Sequence, residues 1–209
     1  MEQKSHKSLR LLFLDCDGCI NSGSDNCSPN RHIYNDRFSH EVLMSNGKGT
    51  CELTYVDPVL AARVSKLVTD YDMHIVMSSS WRLYYSQEDF KELLTLRGLP
   101  GERLVGYTPN LYRDSMFFGG DCPRWMEVEA FLKHAEKDLG WDIEFYVILD
   151  DLQEAGYNTD KGRLFLTDFD KGYTEEDDAG VRRWIEDFMK KEKDESNNKE
   201  DYTGSREVD

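Results

Sequence analysis

The chain has no apolar stretch approaching the ~18 residues needed to cross a bilayer. Its start, Met-Glu-Gln-Lys-Ser-His-Lys-Ser, lacks the apolar core of an export signal. Both absences argue against a membrane protein and predict a cytoplasmic setting. Positive charge is also scarce: 26 lysines and arginines face 41 aspartates and glutamates, a formal charge of −15. Such a surface repels a polyphosphate backbone and argues against long nucleic acid as a partner, although one local basic pocket can still accept one phosphate. The cysteines, at 16, 19, 27, 51 and 122, are odd in number and form no regular framework, which predicts reduced thiols. Cys16 and Cys19 have the Cys-x-x-Cys spacing of a zinc site. Cys16, however, stands inside a strand end between two aspartates, where a structural zinc fits poorly. There is no internal repeat.

What is present alternates. At 209 residues the chain fits one domain with a sizeable core. The apolar run Leu11 to Leu14 suits a buried strand. Asp57-Pro58 supplies an N-cap and a first-turn proline, followed by Leu60, Val64, Leu67, Val68 and Tyr71 at helical spacing. His74 to Met77 reads as a strand. Ser86 with Asp89 resembles a capping box before Phe90, Leu93 and Leu94, and Gly98 closes that helix. Arg103 to Tyr107 is a third strand candidate. Residues 124 to 139 carry Val128, Phe131, Leu132, Ala135 and Leu139 on one helical face. Phe145 to Leu149 is the clearest buried strand, and Leu164 to Leu166 is a short fifth. Thr174 caps a last helix with Val181, Trp184, Ile185, Phe188 and Met189 as its apolar stripe.

Strands alternating with helices imply right-handed crossovers. The expected fold class is therefore α/β, a Rossmann-like three-layer sandwich with about five parallel strands. Ligands of such sheets bind beyond the carboxyl ends of the strands. Residues 19–56 interrupt the alternation as a small cap inserted after the first strand. Within it, Val42 to Ser45 and Thr50 to Val56 flank Asn46-Gly47-Lys48-Gly49, a good hairpin turn. Residues 190–209 are rich in lysine and acid with almost no apolar side chains, which predicts a disordered tail after a single domain over 1–189.

Two strands end in carboxylates. The first runs into Asp15, Cys16, Asp17 and Gly18. Alternation along a strand points Asp15 and Asp17 the same way and Cys16 away. Burying two such charges unpaired is costly, and a bound divalent cation relieves the repulsion. The strand from Phe145 ends in Asp150-Asp151, a second pair, and oxygen-only ligands favour Mg²⁺ over zinc or copper. The second strand ends in Ser78-Ser79-Ser80-Trp81-Arg82, whose hydroxyls can donate to phosphate or simply cap a turn. Arg124 is the first choice for a phosphate-holding cation, ahead of Arg82 and Lys133.

Leu-Asp-x-Asp-Gly, a strand ending in serine, a basic residue and a strand ending in Asp-Asp follow one another here in the order found in the haloacid dehalogenase (HAD) superfamily. From about residue 10 to residue 189 the chain resembles that superfamily, and is most similar to a small-cap phosphatase branch. The similarity includes Ser79-Ser80-Trp81-Arg82, Arg124 to Glu127, Val147 to Asp151 and the segment Gly172 to Asp177. The resemblance implies an aspartyl-phosphate mechanism, with Asp15 as nucleophile and Asp17 as general acid/base. It implies Mg²⁺ held by Asp15, Asp17 (through its backbone carbonyl), Asp150 and Asp151. Ser79, or Ser78, and Arg124, or Arg82, would bind the transferring phosphoryl group. Three positions depart from the branch: Cys19, Trp125 beside Arg124, and Glu154 where a third aspartate is usual. The expected activity is that of a phosphomonoesterase acting on a nucleotide or another small phosphate ester. The alternatives are a polynucleotide-end phosphatase, a non-catalytic binding protein of the same fold, and a cysteine–zinc module.

Overall fold

A computed structural model describes residues 8–111, 123–156 and 158–204. Cys122 and the last residues of the tail, 205–209, lie outside them. Five parallel strands form one sheet: β1 (Ser8–Leu14), β4 (Met73–Met77), β5 (Leu104–Tyr107), β6 (Asp142–Asp150) and β7 (Gly162–Leu166), in the order β5-β4-β1-β6-β7. The expected α/β three-layer architecture is the one observed. β1 is central because Leu11 to Leu14 are fully buried, as a strand covered on both faces requires. The clearest predicted strand is longer than its apolar run. β6 begins at Asp142, and Glu144 near its start forms an ion pair with Arg10 of β1 at 2.9 Å.

The helices form where capping and periodicity predict them. Asp57 accepts hydrogen bonds from the Val59 and Leu60 backbone N–H groups at the start of α2 (Pro58–Asp70), and α2 buries Leu60, Val64, Leu67 and Val68. Ser86 accepts from the Asp89 N–H at the start of α3 (Gln87–Leu96). α4 (Arg124–Lys137) lays Val128, Phe131 and Ala135 on Leu11 and Phe13 of β1 and Tyr146 and Ile148 of β6, with Phe131 and Tyr146 packed edge-on against Phe13. Leu139 lies past the end of α4 and is exposed, so the predicted stripe is one turn too long.

The insertion after β1 holds a one-turn helix, α1 (Gly23–Asn26), and a short hairpin of β2 (Glu41–Leu43) and β3 (Thr50–Glu52). Gly47 adopts a positive φ of 69° at the hairpin turn, and the Met44 N–H donates to the Gly49 carbonyl across it. Arg97, buried after α3, fastens this cap to the core. It is ion-paired with Asp36, lies 3.5 Å from Glu52, and stacks over the Tyr34 ring at 3.7 Å.

A disulfide joins Cys27 to Cys51, across a sequence separation of 24, and ties α1 to β3. This corrects the expectation of reduced thiols for that pair. The chain's return through the hairpin brings their Cα atoms to 4.6 Å, an encounter that cysteine spacing does not reveal. Cys16 and Cys19 are free and buried.

Taken by itself, the last helix, α5 (Glu175–Gly204), continues past 189 into the segment where composition predicts disorder. Lysine and glutamate are good helix formers, and a pair such as Lys191–Glu195 at i,i+4 supports a helix without any apolar face.

Candidate active site

Strand register builds the site. Leu14 is level with Leu149 of β6 on one side and with Met77 of β4 on the other. The next residues, Asp15, Asp150 and Ser78, therefore emerge side by side at the carboxyl edge. The Asp15 N–H donates to the Leu149 carbonyl and the Ser78 N–H to the Leu14 carbonyl, both at 3.0 Å. Asp151 follows, and one carboxylate oxygen from each of Asp15, Asp150 and Asp151 lies within 4.8 Å of the others. Gly18 makes this approach possible. Its φ is 69°, and a Cβ there would stand 2.8 Å from the Asp151 Cβ.

Three carboxylates so close oppose one another's ionisation. Burial raises the pKa of Asp15, with Arg124 working against the rise, and burial followed by the Asp15 charge raises Asp151. Asp150, fully buried, is pushed up to about 7, first by burial and then by Asp15. This oxygen-only donor set with suppressed charge fits a divalent cation such as Mg²⁺. Arg124, at the start of α4, supplies the local positive charge. Its Nη1 donates to Asp150 Oδ2 at 2.8 Å and lies 3.2 Å from Asp15 Oδ2. Burial alone would lower the Arg124 pKa, but the two carboxylates outweigh it and keep the guanidinium charged.

The raised Asp150 pKa has a definite sign in stability. An unfolded aspartate releases its proton near pH 4, whereas the folded Asp150 keeps it to about 7. Between these values the folded chain binds more protons, so its stability falls as pH rises. The expected result is a Tm of the cation-stripped protein that declines from about pH 5 to about pH 7.5, with Asp150→Asn flattening the decline. A calorimetric Tm that climbs over that interval would contradict this.

Asp17 is handled differently from the other three. Asn21 Nδ2 donates to its Oδ1 at 2.8 Å and the Trp81 indole N–H to its Oδ2 at 3.0 Å. Both oxygens are thus held from the protein side, and its side chain stands outside the acidic trio. Asn21 also accepts from the Gly18 N–H and donates to the Tyr55 carbonyl, joining the β1 turn to the cap. Sequence reasoning gave Asn21 and Trp81 no role. Their only signals are a carboxamide four residues after Asp17 and a tryptophan within the serine motif.

The predicted phosphate ligands separate in space. The Ser79 hydroxyl bonds the Asp15 carboxylate and caps the 3₁₀ turn Ser80–Leu83 by accepting from the Trp81 N–H at 3.3 Å. Ser78, also fully buried, has a hydroxyl with no hydrogen-bond partner. Arg82 turns away from the carboxylates. Its five N–H donors go to the carbonyls of Ser78, Ser79, Thr108 and Pro109 and to Glu127 Oε2, so none is left for phosphate. Glu127 in turn accepts from the Leu111 N–H at 3.0 Å. The arginine after the serines and the glutamate three residues past Arg124 are one buried pair. Lys133 is exposed and pairs with Glu129 on α4.

The cysteine–zinc module gains no support. Cys27 and Cys51 are bonded to each other, the Cys16 thiol points to Met77 at 3.7 Å, and Cys19 is within 3.3 Å of the Thr167 hydroxyl. Among the described residues, the metal-competent cluster contains no cysteine. Glu154 is exposed and also outside that cluster.

A family model described as the HAD domain in Swiss Army Knife RNA repair proteins matches residues 11–177. The chain belongs to this family. The match spans both aspartate-bearing strand ends, the cap and α4. No curated protein and no solved structure matches significantly. The HAD assignment supports a hydrolase or phosphatase type of activity.

Proposed function

We propose that this HAD domain is a Mg²⁺-dependent phosphomonoesterase working through an aspartyl-phosphate. The observation that carries this reading is the convergence of Asp15, Asp150 and Asp151 within 4.8 Å at neighbouring strand ends, beside an Asp17 anchored by other partners. Asp15 attacks phosphorus, forming an Asp15–phosphorus bond as the bond to the leaving oxygen breaks. Asp17, held by Asn21 and Trp81, gives its proton to that oxygen. It then takes a proton from the water that hydrolyses the aspartyl-phosphate and returns Asp15 as a carboxylate. Ser79 and Arg124 bind the phosphoryl oxygens. Among the described residues, the remaining N–H groups of Arg124 have no acceptor and can serve the substrate. Asp15, Asp150 and Asp151, with the Asp17 carbonyl, would hold the Mg²⁺, which neutralises charge between nucleophile and phosphate.

The sequence favours a nucleotide, and the family description moves the reading to the phosphorylated end of an RNA, the alternative that needs only one phosphate to enter an acidic protein. The test is phosphate release with Mg²⁺ from 5′- and 3′-phosphorylated oligoribonucleotides, nucleoside monophosphates, sugar phosphates and an aryl phosphate. Oligoribonucleotide ends are expected to show the highest kcat/KM, and EDTA to abolish release. No turnover on the whole panel, with Mg²⁺ still bound, would establish the binding-protein reading instead.

A further inference from the structure

Next to the carboxylates is a cavity of about 540 Å³ onto which Asp17 opens. Its volume lies in the range of small-molecule sites. One wall is the 3₁₀ turn and its continuation, with Trp81, Tyr84 and Tyr85, and the facing wall is the cap, with Leu53 and Glu52. Two of these aromatic residues have structural work. Trp81 holds Asp17, and Tyr85 packs edge-on between Phe38 and Phe90. Tyr84 has none: the residue is 78 % exposed and its ring has no stacking or hydrogen-bond partner among the described residues.

We propose that this cavity is the subsite for the nucleobase carried by the leaving group, with the base stacked on Tyr84. The proposal rests on the phosphatase reading above and names what lies on the far side of the scissile bond. The cavity begins at the residue that protonates the leaving oxygen, so whatever fills it is attached to that oxygen. Its lining includes two carboxylates, Asp17 and Glu52, and no lysine or arginine, which excludes a phosphodiester and admits an uncharged group. The flat rings select an aromatic face. Asn26, also in the lining, carries a side-chain oxygen without a hydrogen-bond partner, and an amide acceptor of that kind matches the amino edge of a base. A free nucleotide and an RNA end share this chemistry.

The test compares wild type, Tyr84→Ala and Tyr84→Phe on oligoribonucleotide ends with the terminal base present or replaced by an abasic residue, and on a nucleoside monophosphate. Tyr84→Ala is expected to raise KM for base-bearing ends by about tenfold. It should leave kcat and the abasic end unchanged, and Tyr84→Phe should restore wild-type KM. Tyr84 dependence with the mononucleotide supports the subsite with a free nucleotide as sufficient ligand. Dependence confined to oligonucleotides supports it with a chain end as ligand. Equal KM for abasic and base-bearing ends in wild type overturns the proposal, as does a Tyr84→Ala effect of equal size on both. If no substrate is hydrolysed, the phosphatase reading has failed separately. Fluorescence polarisation then reads the subsite by binding alone: tighter binding of the base-bearing end, lost in Tyr84→Ala, sustains it, and equal affinity overturns it.

Discussion

An Asp15→Asn chain is expected to release phosphate at least about 10⁴-fold more slowly than wild type on every substrate, because the proposed nucleophile is gone. The carboxamide has nearly the same shape but cannot form the acyl-phosphate. It should cost no stability. Burial raises the Asp15 pKa, so the folded state bears the charge at a disadvantage that asparagine removes, while Arg124 keeps Asp150 as its partner. Calorimetry at neutral pH without divalent cations should therefore give a Tm equal to or above that of wild type, alongside the loss of activity. An Asp15→Asn protein that kept more than about a hundredth of the wild-type rate would make Asp15 a metal ligand only and refute the covalent intermediate.

Arg82→Ala should destabilise the fold by about 3–5 kcal/mol, by leaving Glu127 buried and uncompensated. The side chains of Arg82 and Glu127 are 5 % and 7 % exposed. Truncation strands one carboxylate and four carbonyls at the ends of β4 and β5. For a chain of this size that is a fall in Tm on the order of 10 °C. Arg82→Lys should not rescue it, since an ammonium has three donors and no planar fork. Urea denaturation of Arg82→Ala, Glu127→Gln and the double variant separates the pair's coupling from its burial cost. A stable Arg82→Ala protein with a raised KM for phosphate esters would instead return Arg82 to the phosphate site.

Arg82 and Arg124 are both arginines beside strand-end motifs, and only direction separates them. Arg82 lies within the 3₁₀ turn, which folds its guanidinium back under the serines, whereas Arg124 opens a helix aimed at the carboxyl edge. The asymmetry of the aspartates was half legible. Alternation put Asp15 and Asp17 on one side of β1. The Gly18 turn then delivered Asp17 to Asn21 and Trp81, away from Asp150 and Asp151. The Cys27–Cys51 bond and the Arg97 anchor were not legible, because both join residues whose approach depends on how the cap folds back.

The order of strands and helices, the caps at Asp57 and Ser86, and the two carboxylate-ended strands are properties of local pattern, because apolar periodicity and backbone capping act over a few residues. By itself the sequence determined an α/β sheet with acidic chemistry at its carboxyl edge. That β1 and β6 are neighbours in register is a tertiary decision. It assembled three of the four aspartates into one site, while the packing of the β4 turn and the cap held Asp17 on Trp81 and opened a cavity beside it. Those outcomes depend on contacts between residues tens to more than a hundred positions apart, which no local pattern records.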